Sequence, residues 1–596
     1  MDRLSTSGCI SCCCVSLYVV STLAGRRIRL GAPAGGRFSE MNDGYDELVF
    51  VPLGGLGEIG MNLALYGYGR KGSWKWLVVD CGVAFAGPDL AGIDIVIPDI
   101  SFIEKMRGDL AGLVITHAHE DHIGALTEIW PRLGCKLYAT SFAAALFGAK
   151  RVGEPGSPDV QFSIVAQGEV KVIGPFNIEF VGMAHSIPES CALAIRTPLG
   201  TILHSGDWKI DPSPGIGKVT DAKRLAAIGA EGVLALVSDS TNILRDGLSP
   251  SEADVAKSLR EIIGAASGRV IVTIFASNVA RIRAVAEAAM AAGRAVVLVG
   301  RAMERAVTVA RECGYLDGIP EFLSKEMFSQ LPRDELVVLA TGSQGESRAA
   351  IARISEGSHP VVTLNPGDKV IFSSRTIPGN EREVGRIINN FIRSGIDVVT
   401  DRTALVHASG HPRRGEVAQL YSWTRPHIAI PAHGEDLHLA EHASFAKAQG
   451  VQNVIAARNG DIVLLAPGKP GIVGKVPNGR LCKDGNSLIS ASDEALRTRQ
   501  KLAVSGIVTI ALAVTPKGDL AGTPDVVTAG IPARTGGGAA IDTIVDDALF
   551  QTFDQLPRPK RRDADIVSNA IGKAVREAVA AAWGKRPAVQ VLVVEV

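Results

Sequence analysis

Residues 113–124 read Leu-Val-Ile-Thr-His-Ala-His-Glu-Asp-His-Ile-Gly, and no other apolar run in the sequence is followed so directly by so many metal-capable side chains. The three apolar residues and the threonine predict a buried strand, so that His117 emerges at its carboxyl end. Open α/β sheets carry their ligand sites at this end of their strands. The stretch therefore predicts an α/β fold with a chemical site on the rim of a sheet.

This stretch offers four donors within six residues, from His117, His119, Asp121 and His122. Imidazole nitrogen and carboxylate oxygen are the ligands of zinc or a similar divalent ion. One tetrahedral ion could not use all four donors and still hold water and substrate. The number of donors therefore predicts two ions. The alternative is a polar loop with scattered histidines, but crowding these groups beside an apolar strand without a compensating ion would be costly.

The HAHEDH sequence resembles the second motif of the metallo-β-lactamase superfamily, whose fold is an αββα sandwich. Asp80 ends an apolar run at residues 76–79 and matches the first motif, in which the acid orients the metal-binding loop. A strand-end turn is the structural alternative for this residue. His185 and Asp207 also follow apolar runs and resemble the third and fourth motifs.

The resemblance also implies how the ligands are shared between two ions. His185 would complete the first ion's set with His117 and His119. Asp207 would bridge to the second ion, beside Asp121 and His122. His204 lies inside the strand that precedes Asp207, so we expect it to pack in the core or to support a ligand from behind rather than to bind metal directly.

The ligand series is interrupted by an α/β segment of about 150 residues, a normal size for one domain. Helices are predicted at 251–266 and 278–292, and strands at 269–275, 295–299 and 336–340. Histidines reappear off apolar runs only at His407, His411 and His433. A metal site interrupted by a whole domain resembles the β-CASP branch of the superfamily, whose members cut nucleic acids.

Three further motifs carry this second resemblance: Ser-Asp-Ser-Thr at 238–241, His-Ala-Ser-Gly-His at 407–411 and Pro-Ala-His-Gly-Glu at 431–435. They imply that His433 is the last ligand of the second ion and that His411, close to Asp239, is the catalytic proton donor. A substrate-positioning or strand-capping histidine in the Gly-rich loop is the alternative for His411. With residues 54–62, 275–278 and 341–346, the chain is similar to the ribonuclease J family of bacteria over about residues 45–470, and more weakly over the last hundred.

By the same resemblance, two short segments would hold the 5′ phosphate region of RNA. Small residues let backbone N–H groups approach an anion closely. Such loops also form for purely structural reasons. The family often has a histidine where this chain has Ala280. The implied contacts are His407, Ala408, Ser409, Gly410, His411, Ser277 and Asn278.

The expected organisation places a metallo-β-lactamase domain at 45–247 and 401–465, interrupted by a β-CASP domain at 248–400. A linker at 466–487 and a small C-terminal α/β domain at 488–596 follow. In that last domain we expect strands at 504–514 and 589–596, and helices at 541–553 and 564–583. Residues 1–44 are interpreted as a disordered extension, or as an upstream start preceding Met41.

The composition is that of a soluble globular protein, with 46% hydrophobic and 21% charged residues and zero formal net charge. A polyanionic partner would therefore need a local basic groove. The nine cysteines imply no disulfide framework, and the apolar run at 9–24 is too short to span a bilayer. We expect a cytoplasmic protein without membrane attachment.

The resemblance implies a metal-dependent ribonuclease, a 5′-to-3′ exonuclease that prefers 5′-monophosphate ends and has some endonuclease activity in RNA maturation, rRNA processing and decay. Zinc is the expected metal, with manganese and magnesium as alternatives. The implied partners are RNA, a second copy in a homodimer or homotetramer, and an RNA-decay complex. Three alternative functions stay open: a β-CASP DNA nuclease, a small-ester or thioester metallohydrolase, and a catalytically silent RNA-binding scaffold.

Overall fold

Two β-sheets stacked face to face form the centre of the structure, a computed structural model that describes residues 45–87, 89–152, 158–377 and 379–596. The first sheet has eight strands, in the spatial order Gly471–Lys475, Asp461–Ala466, Asp46–Gly54, Leu63–Arg70, Lys75–Val79, Leu110–Val114, Leu137–Ala139 and Phe162–Ile164. The second has seven, in the order Val170–Ile173, Phe176–Gly182, Cys191–Thr197, Gly200–His204, Ala235–Asp239, Ile428–Ala432 and Asn453–Val454.

The strand Asp46–Gly54 shows why the sheets stack. Side chains alternate between the two faces of a strand. Leu48 and Phe50 lie in the core between the sheets, whereas Val49 and Val51 lie in a second core that includes helix residues. Because both faces of this strand are covered, its residues form an uninterrupted apolar run.

The helices pack on the outer faces of the two sheets, around the sheet of the inserted segment and against the C-terminal sheet. Among the described residues the α-helices are Ser101–Lys105, Glu120–Ile123, Leu126–Leu133, Ser141–Val152, Ala222–Glu231, Glu252–Gly264, Val279–Ala291, Arg301–Glu312, Ala350–Ser355, Glu381–Arg393, Arg414–Thr424, Asp436–Ala448, Glu494–Ser505, Ile541–Gln555 and Ala564–Trp583. No helix in this part of the chain has the length and apolar character needed to cross a membrane.

Parallel pairing within each sheet brings chemically active loops to one edge. In the first sheet, Lys75–Val79 runs parallel to Leu110–Val114. In the second, Gly200–His204, Ala235–Asp239 and Ile428–Ala432 are parallel neighbours. The carboxyl ends of parallel strands lie at the same edge of a sheet, so the residues that follow these strands gather at one rim.

The inserted segment leaves the second sheet after Asp239 and returns in the neighbouring strand Ile428–Ala432. It forms a five-stranded parallel sheet, in the order Ala295–Val299, Leu336–Ala340, Val270–Thr273, Lys369–Phe372 and Asp397–Val399. The observed helices Glu252–Gly264 and Val279–Ala291 match the two predicted from the apolar spacing. The predicted α/β sandwich with an inserted α/β unit is confirmed.

The C-terminal residues form a small α/β unit, as the apolar pattern predicts. Its three strands lie in the order Asp525–Ala529, Ile507–Val514 and Ala588–Glu595. The helices Ile541–Gln555 and Ala564–Trp583 contribute Leu549 and Ile571 to a core shared with Val508 and Ile510 of the central strand.

The segment 466–487, predicted to be a linker, differs from that prediction because it contains regular strands. Gly471–Lys475 extends the first sheet. Arg480–Asp484 pairs with Ile95–Pro98 and Ser487–Ser490, in a four-stranded sheet completed by Ala84–Phe85. These strands are short and partly exposed, so they lack the apolar alternation that sequence reasoning needs. The interpretations of residues 1–44 and of Met41 lie outside the described residues.

Candidate metal centre

The side chains predicted as metal ligands converge at the sheet rim in two groups that share Asp207. Within each group, all the ligand atoms lie within 4.8 Å of one another. The first group is His117, His119, His185 and Asp207. The second group is Asp121, His122, Asp207 and His433.

The first group presents three imidazoles whose nitrogens face one another. Nδ1 of His119 lies 3.1 Å from Nε2 of His117 and 3.0 Å from Nε2 of His185. Burial lowers the pKa of all three rings, and that of His119 to about 4. Neutral imidazole is the form that binds a metal ion.

The second group mixes imidazoles with carboxylates. Burial alone would lower the pKa of His433, but Asp207 and Asp121 raise it to about 10. Asp207, Asp121 and Asp80 likewise raise the pKa of His122 against the effect of burial. A divalent ion binding here must displace these protons, so its affinity falls as the pH is lowered.

Asp207 is the common member of the two groups and is almost completely buried. Its Oδ1 accepts a hydrogen bond from Nδ1 of His433 at 2.7 Å. Its Oδ2 lies 3.2 Å from Nε2 of His122 and 3.7 Å from Nε2 of His117, yet has no hydrogen-bonding partner among the described residues. A buried carboxylate oxygen without a partner, surrounded by imidazoles, fits a bridging position between two cations.

Asp80 lies behind the second group and does not belong to either. Its Oδ2 accepts a hydrogen bond from Nδ1 of His122 at 2.7 Å, and its Oδ1 accepts one from the Thr116 amide at 2.8 Å. A carboxylate in this position fixes the ring orientation of a ligand histidine. This is the geometry that the predicted orienting role of Asp80 requires.

His411 stands at the open side of the centre. Its Nδ1 donates to Oδ2 of Asp239 at 2.8 Å, and its side chain is 23% exposed while that of Asp239 is fully buried. Asp239 and Asp207 raise the pKa of His411 against the lowering effect of burial. The ring is thus held through Nδ1 by a buried carboxylate, and its side chain stays partly exposed.

The loop before His411 contacts the metal centre directly. The Gly410 carbonyl accepts a hydrogen bond from Nδ1 of His185 at 2.7 Å, and a Cβ at position 410 would lie 2.6 Å from the same ring. The Ser409 hydroxyl accepts from Nδ2 of Asn242 at 2.7 Å, which leaves its own proton available. Ala408 is buried, so its side chain offers nothing to a substrate.

The other predicted substrate contacts have different surroundings. Asn278 is 4% exposed, and its Oδ1 already accepts from the Arg281 amide at 2.9 Å as the N-cap of Val279–Ala291. Ser277 next to it is partly exposed. Nδ1 of His407 is buried without a partner among the described residues, and burial, Arg281 and Arg375 lower the pKa of this ring.

His204 belongs to neither ligand group. Its Nδ1 is hydrogen-bonded to the Tyr66 hydroxyl at 2.8 Å, and burial lowers its pKa to about 4. This is the packing position expected from its place inside a strand.

Sequence reasoning missed Glu416, which ties three segments of the site together. This carboxylate is fully buried and accepts hydrogen bonds from the amides of Ile210 at 2.8 Å, Ser249 at 3.0 Å and Arg413 at 2.8 Å. Ile210 lies three residues after Asp207, and Arg413 lies two residues after His411. Nothing in the amphipathic pattern of Arg414–Thr424 distinguishes this glutamate from a solvated one.

His442 was also missed, and it links the elements behind Asp239 and His433. Its Nδ1 is 2.8 Å from the Ser240 hydroxyl and its Nε2 is 2.9 Å from the Tyr421 hydroxyl. Burial lowers the pKa of this ring to about 4, so it is neutral and bonds both hydroxyls. Asn62 fixes the loop of Asp121: its backbone N–H donates to the Asp121 carbonyl at 2.9 Å, and its side-chain Nδ2 donates to the same carbonyl at 3.1 Å.

The comparisons with known sequences agree with this geometry. The profile described as "Metallo-beta-lactamase superfamily" matches residues 72–263, "Ribonuclease J, beta-CASP domain" matches 267–391 and "Ribonuclease J C-terminal domain" matches 494–596. Ribonuclease J of Sinorhizobium meliloti is 48% identical, over 92% of this chain and 98% of that protein. The proteins of the same name from Mycolicibacterium smegmatis and Thermus thermophilus are 40% and 36% identical, each over 78% of this chain and 82% of their own length.

Among solved structures, a protein of unknown function from Enterococcus faecalis V583 has a TM-score of 0.50 at 15% identity, over 70% of this chain and 100% of that one. That likeness supports the fold alone. The sandwich, the inserted domain and the His/Asp cluster define a metallo-β-lactamase-fold protein of the β-CASP type with a divalent-metal site. The chain belongs to the ribonuclease J family.

Replacing Glu416 by glutamine should lower the free energy of unfolding by ~1–3 kcal/mol, because a buried amide loses its acceptor and faces an NH2 group. The midpoint of urea unfolding measures this. Glu261→Gln, on the exposed side of Glu252–Gly264, is the matched control and should stay within ~0.5 kcal/mol of the wild type. Equal midpoints for the two variants would contradict the role assigned to Glu416.

Proposed function

We propose that this chain is a metal-dependent ribonuclease that hydrolyses RNA phosphodiester bonds, acting as a 5′-to-3′ exonuclease with some endonuclease activity in RNA maturation and decay. The observation that carries the proposal is the convergence on Asp207 of two ligand groups, with the His411–Asp239 pair at their open edge. Membership of the ribonuclease J family supports RNA as the substrate. The proposal places the enzyme in the cytoplasm with its substrates.

The residues of the chain have separate tasks in this reaction. A pair of divalent ions, when bound, supplies Lewis-acid activation of water and neutralises charge on the phosphate. Asp80 and Asp207 hold His122 and His433 in orientation through Nδ1. His411, fixed by Asp239 through Nδ1, donates the proton on Nε2 to the departing 3′ oxygen of the RNA.

Zinc is the metal we propose for the centre. His117, His119 and His185 offer three imidazole nitrogens and Asp207 a carboxylate, which is a typical zinc donor set. Magnesium prefers oxygen donors, so the five imidazoles across the two groups disfavour it. Manganese accepts both donor types and is the alternative.

A 5′-monophosphate preference is supported by positive charge beside the 407–411 loop. Burial and the nearby Arg245 and Arg413 lower the pKa of Arg375, against the raising effect of Asp401, whose carboxylate lies 3.6 Å from its guanidinium, so three guanidinium groups lie near a single carboxylate. Such a cluster is stabilised by an anion. Ser409 lies on the same loop, and its hydroxyl, which only accepts hydrogen bonds among the described residues, can donate to a terminal phosphate. Contact between RNA and His407 stays a prediction, because Nδ1 of His407 is buried.

Incubating the purified protein with 5′-monophosphate RNA, 5′-triphosphate RNA and matched DNA should release mononucleotides from the 5′ end of the monophosphate RNA. Each strand carries a label at one end or the other, and a parallel reaction contains a chelator, which should stop hydrolysis. Release from DNA at the same rate would make the protein a DNA nuclease. Intact RNA beside a hydrolysed small ester would overturn the proposal.

His411→Ala should turn over RNA about 10²- to 10⁴-fold more slowly, because a positioned general acid contributes about this much. Bound metal should stay at the wild-type content, measured by elemental analysis of dialysed protein. His427→Ala, at an exposed histidine, is the control. Since His411 also lies within ligand distance of Asp207 and His433, metal loss in His411→Ala would instead make it a ligand.

Self-association through the C-terminal sheet is a further part of the proposal. The outer face of that sheet exposes Val527 by 58%, Leu592 by 48% and Val594 by 56%. Within the described residues, Ala588–Glu595 pairs only with Ile507–Val514 and leaves an eight-residue edge. Apolar side chains beside a free strand edge favour a second copy as partner, in a homodimer or homotetramer. Association with an RNA-decay complex stays a prediction.

Val594→Lys should shift the protein from dimer or tetramer toward monomer in sedimentation velocity, because a charge on the apolar face opposes its burial. Val219→Lys, at a half-exposed valine outside this sheet, should leave the sedimentation coefficient unchanged. A monomeric wild-type protein at micromolar concentration would contradict this interface.

A further inference from the structure

A hydrogen bond joins the loop of metal-ligand candidate His185 to the inserted domain. Glu189, four residues after His185, adopts a left-handed backbone conformation with φ of 61°. Non-glycine residues are uncommon in this region and persist there when surrounding contacts hold them. Two hydrogen bonds accepted by the Glu189 carboxylate hold this residue in that conformation.

Each oxygen of Glu189 binds a different part of the molecule. Oε2 accepts a hydrogen bond from the Phe142 amide at 2.9 Å, in the first turn of the helix Ser141–Val152. Oε1 accepts the Tyr315 hydroxyl at 2.8 Å. Tyr315 belongs to the inserted domain, so the carboxylate connects the metal-carrying half to the insertion.

The tyrosine is itself held on both sides. Its ring packs edge-on against Phe142, with centroids 5.8 Å apart and planes at 80°. Its carbonyl accepts a hydrogen bond from Nη1 of Arg283 at 3.0 Å. Burial and Glu189 raise the pKa of Tyr315, so its hydroxyl keeps the proton it donates.

Arg283 extends this connection to the proposed RNA contact. It lies on the helix Val279–Ala291, which begins directly after Ser277 and Asn278. A continuous series of contacts therefore runs from Ser277 through this helix, Arg283, Tyr315 and Glu189 to the loop of His185. This series of contacts sets the distance between Ser277 and the metal centre, so RNA that binds at both places must span that distance.

We propose that Tyr315 is a positioning residue that fixes the inserted domain relative to the metal centre, and so aligns RNA bound to both. This inference rests on the proposed ribonuclease function. It concerns only substrates long enough to contact the insertion. A small phosphodiester, which needs the metal centre alone, should not depend on Tyr315.

The test is Tyr315→Phe, which keeps the ring against Phe142 and removes only the hydroxyl. On 5′-monophosphate RNA, kcat/KM should fall about tenfold, as expected for loss of one buried hydrogen bond to a charged group. Hydrolysis of bis(p-nitrophenyl) phosphate and the bound metal should stay within about twofold of the wild type. Tyr68→Phe is the matched control. It removes a hydroxyl that donates to Asp46 at 3.0 Å, outside the contact between the inserted domain and the metal-carrying half, and should leave activity on both substrates unchanged.

A double-mutant cycle with Glu189→Gln shows whether the two residues act through one hydrogen bond. The activity of the double variant on RNA should be no lower than that of the less active single variant. RNA activity of Tyr315→Phe equal to that of the wild type, or a parallel loss on RNA and on the small diester, would overturn the inference while leaving the proposed function intact. A wild-type protein inactive on RNA would overturn the proposed function and this inference with it.

Discussion

The structure depends on one electrostatic constraint, the buried carboxylate of Asp207 among five imidazoles. Taking an ionised carboxylate out of water costs several kcal/mol unless charge compensates it. His433, His122, His117 and His185 supply nitrogens within 3.9 Å of its oxygens, yet Oδ2 keeps no hydrogen bond among the described residues. The hydrogen bonds of the described residues therefore leave Asp207 Oδ2 without a partner, whereas a bound cation would compensate its charge.

The fold provides the means to place these groups together. Asp207, Asp239 and His433 follow or end three strands that are parallel neighbours in one sheet. His117 follows a strand of the facing sheet, which brings the second set of donors across the core. The long insertion does not disturb the centre, because the chain leaves and re-enters the sheet through adjacent strands. Glu416 and His442 then fix the loops from behind.

Much of this could be predicted from the sequence, because each group of ligand candidates lies within a few residues after an apolar run. His117, His185, Asp207 and His433 share that feature, and their order along the chain indicated the interrupted layout. Glu416 and His442 could not be predicted, since a buried polar residue on an amphipathic helix looks like a solvated one. Asn278 carried a detectable signal, because asparagine before an apolar helix is a preferred N-cap. The strands between 471 and 490 could not be predicted because they are short and partly exposed and lack the apolar alternation that marks a strand.

The central claim is that seven side chains bind a pair of divalent ions across Asp207. Anomalous diffraction from crystals of the full chain grown with zinc, or with manganese, tests this directly. The account predicts two peaks, one among His117, His119 and His185 and the other among Asp121, His122 and His433, both in contact with Asp207. A single peak, or peaks away from Asp207, would contradict it.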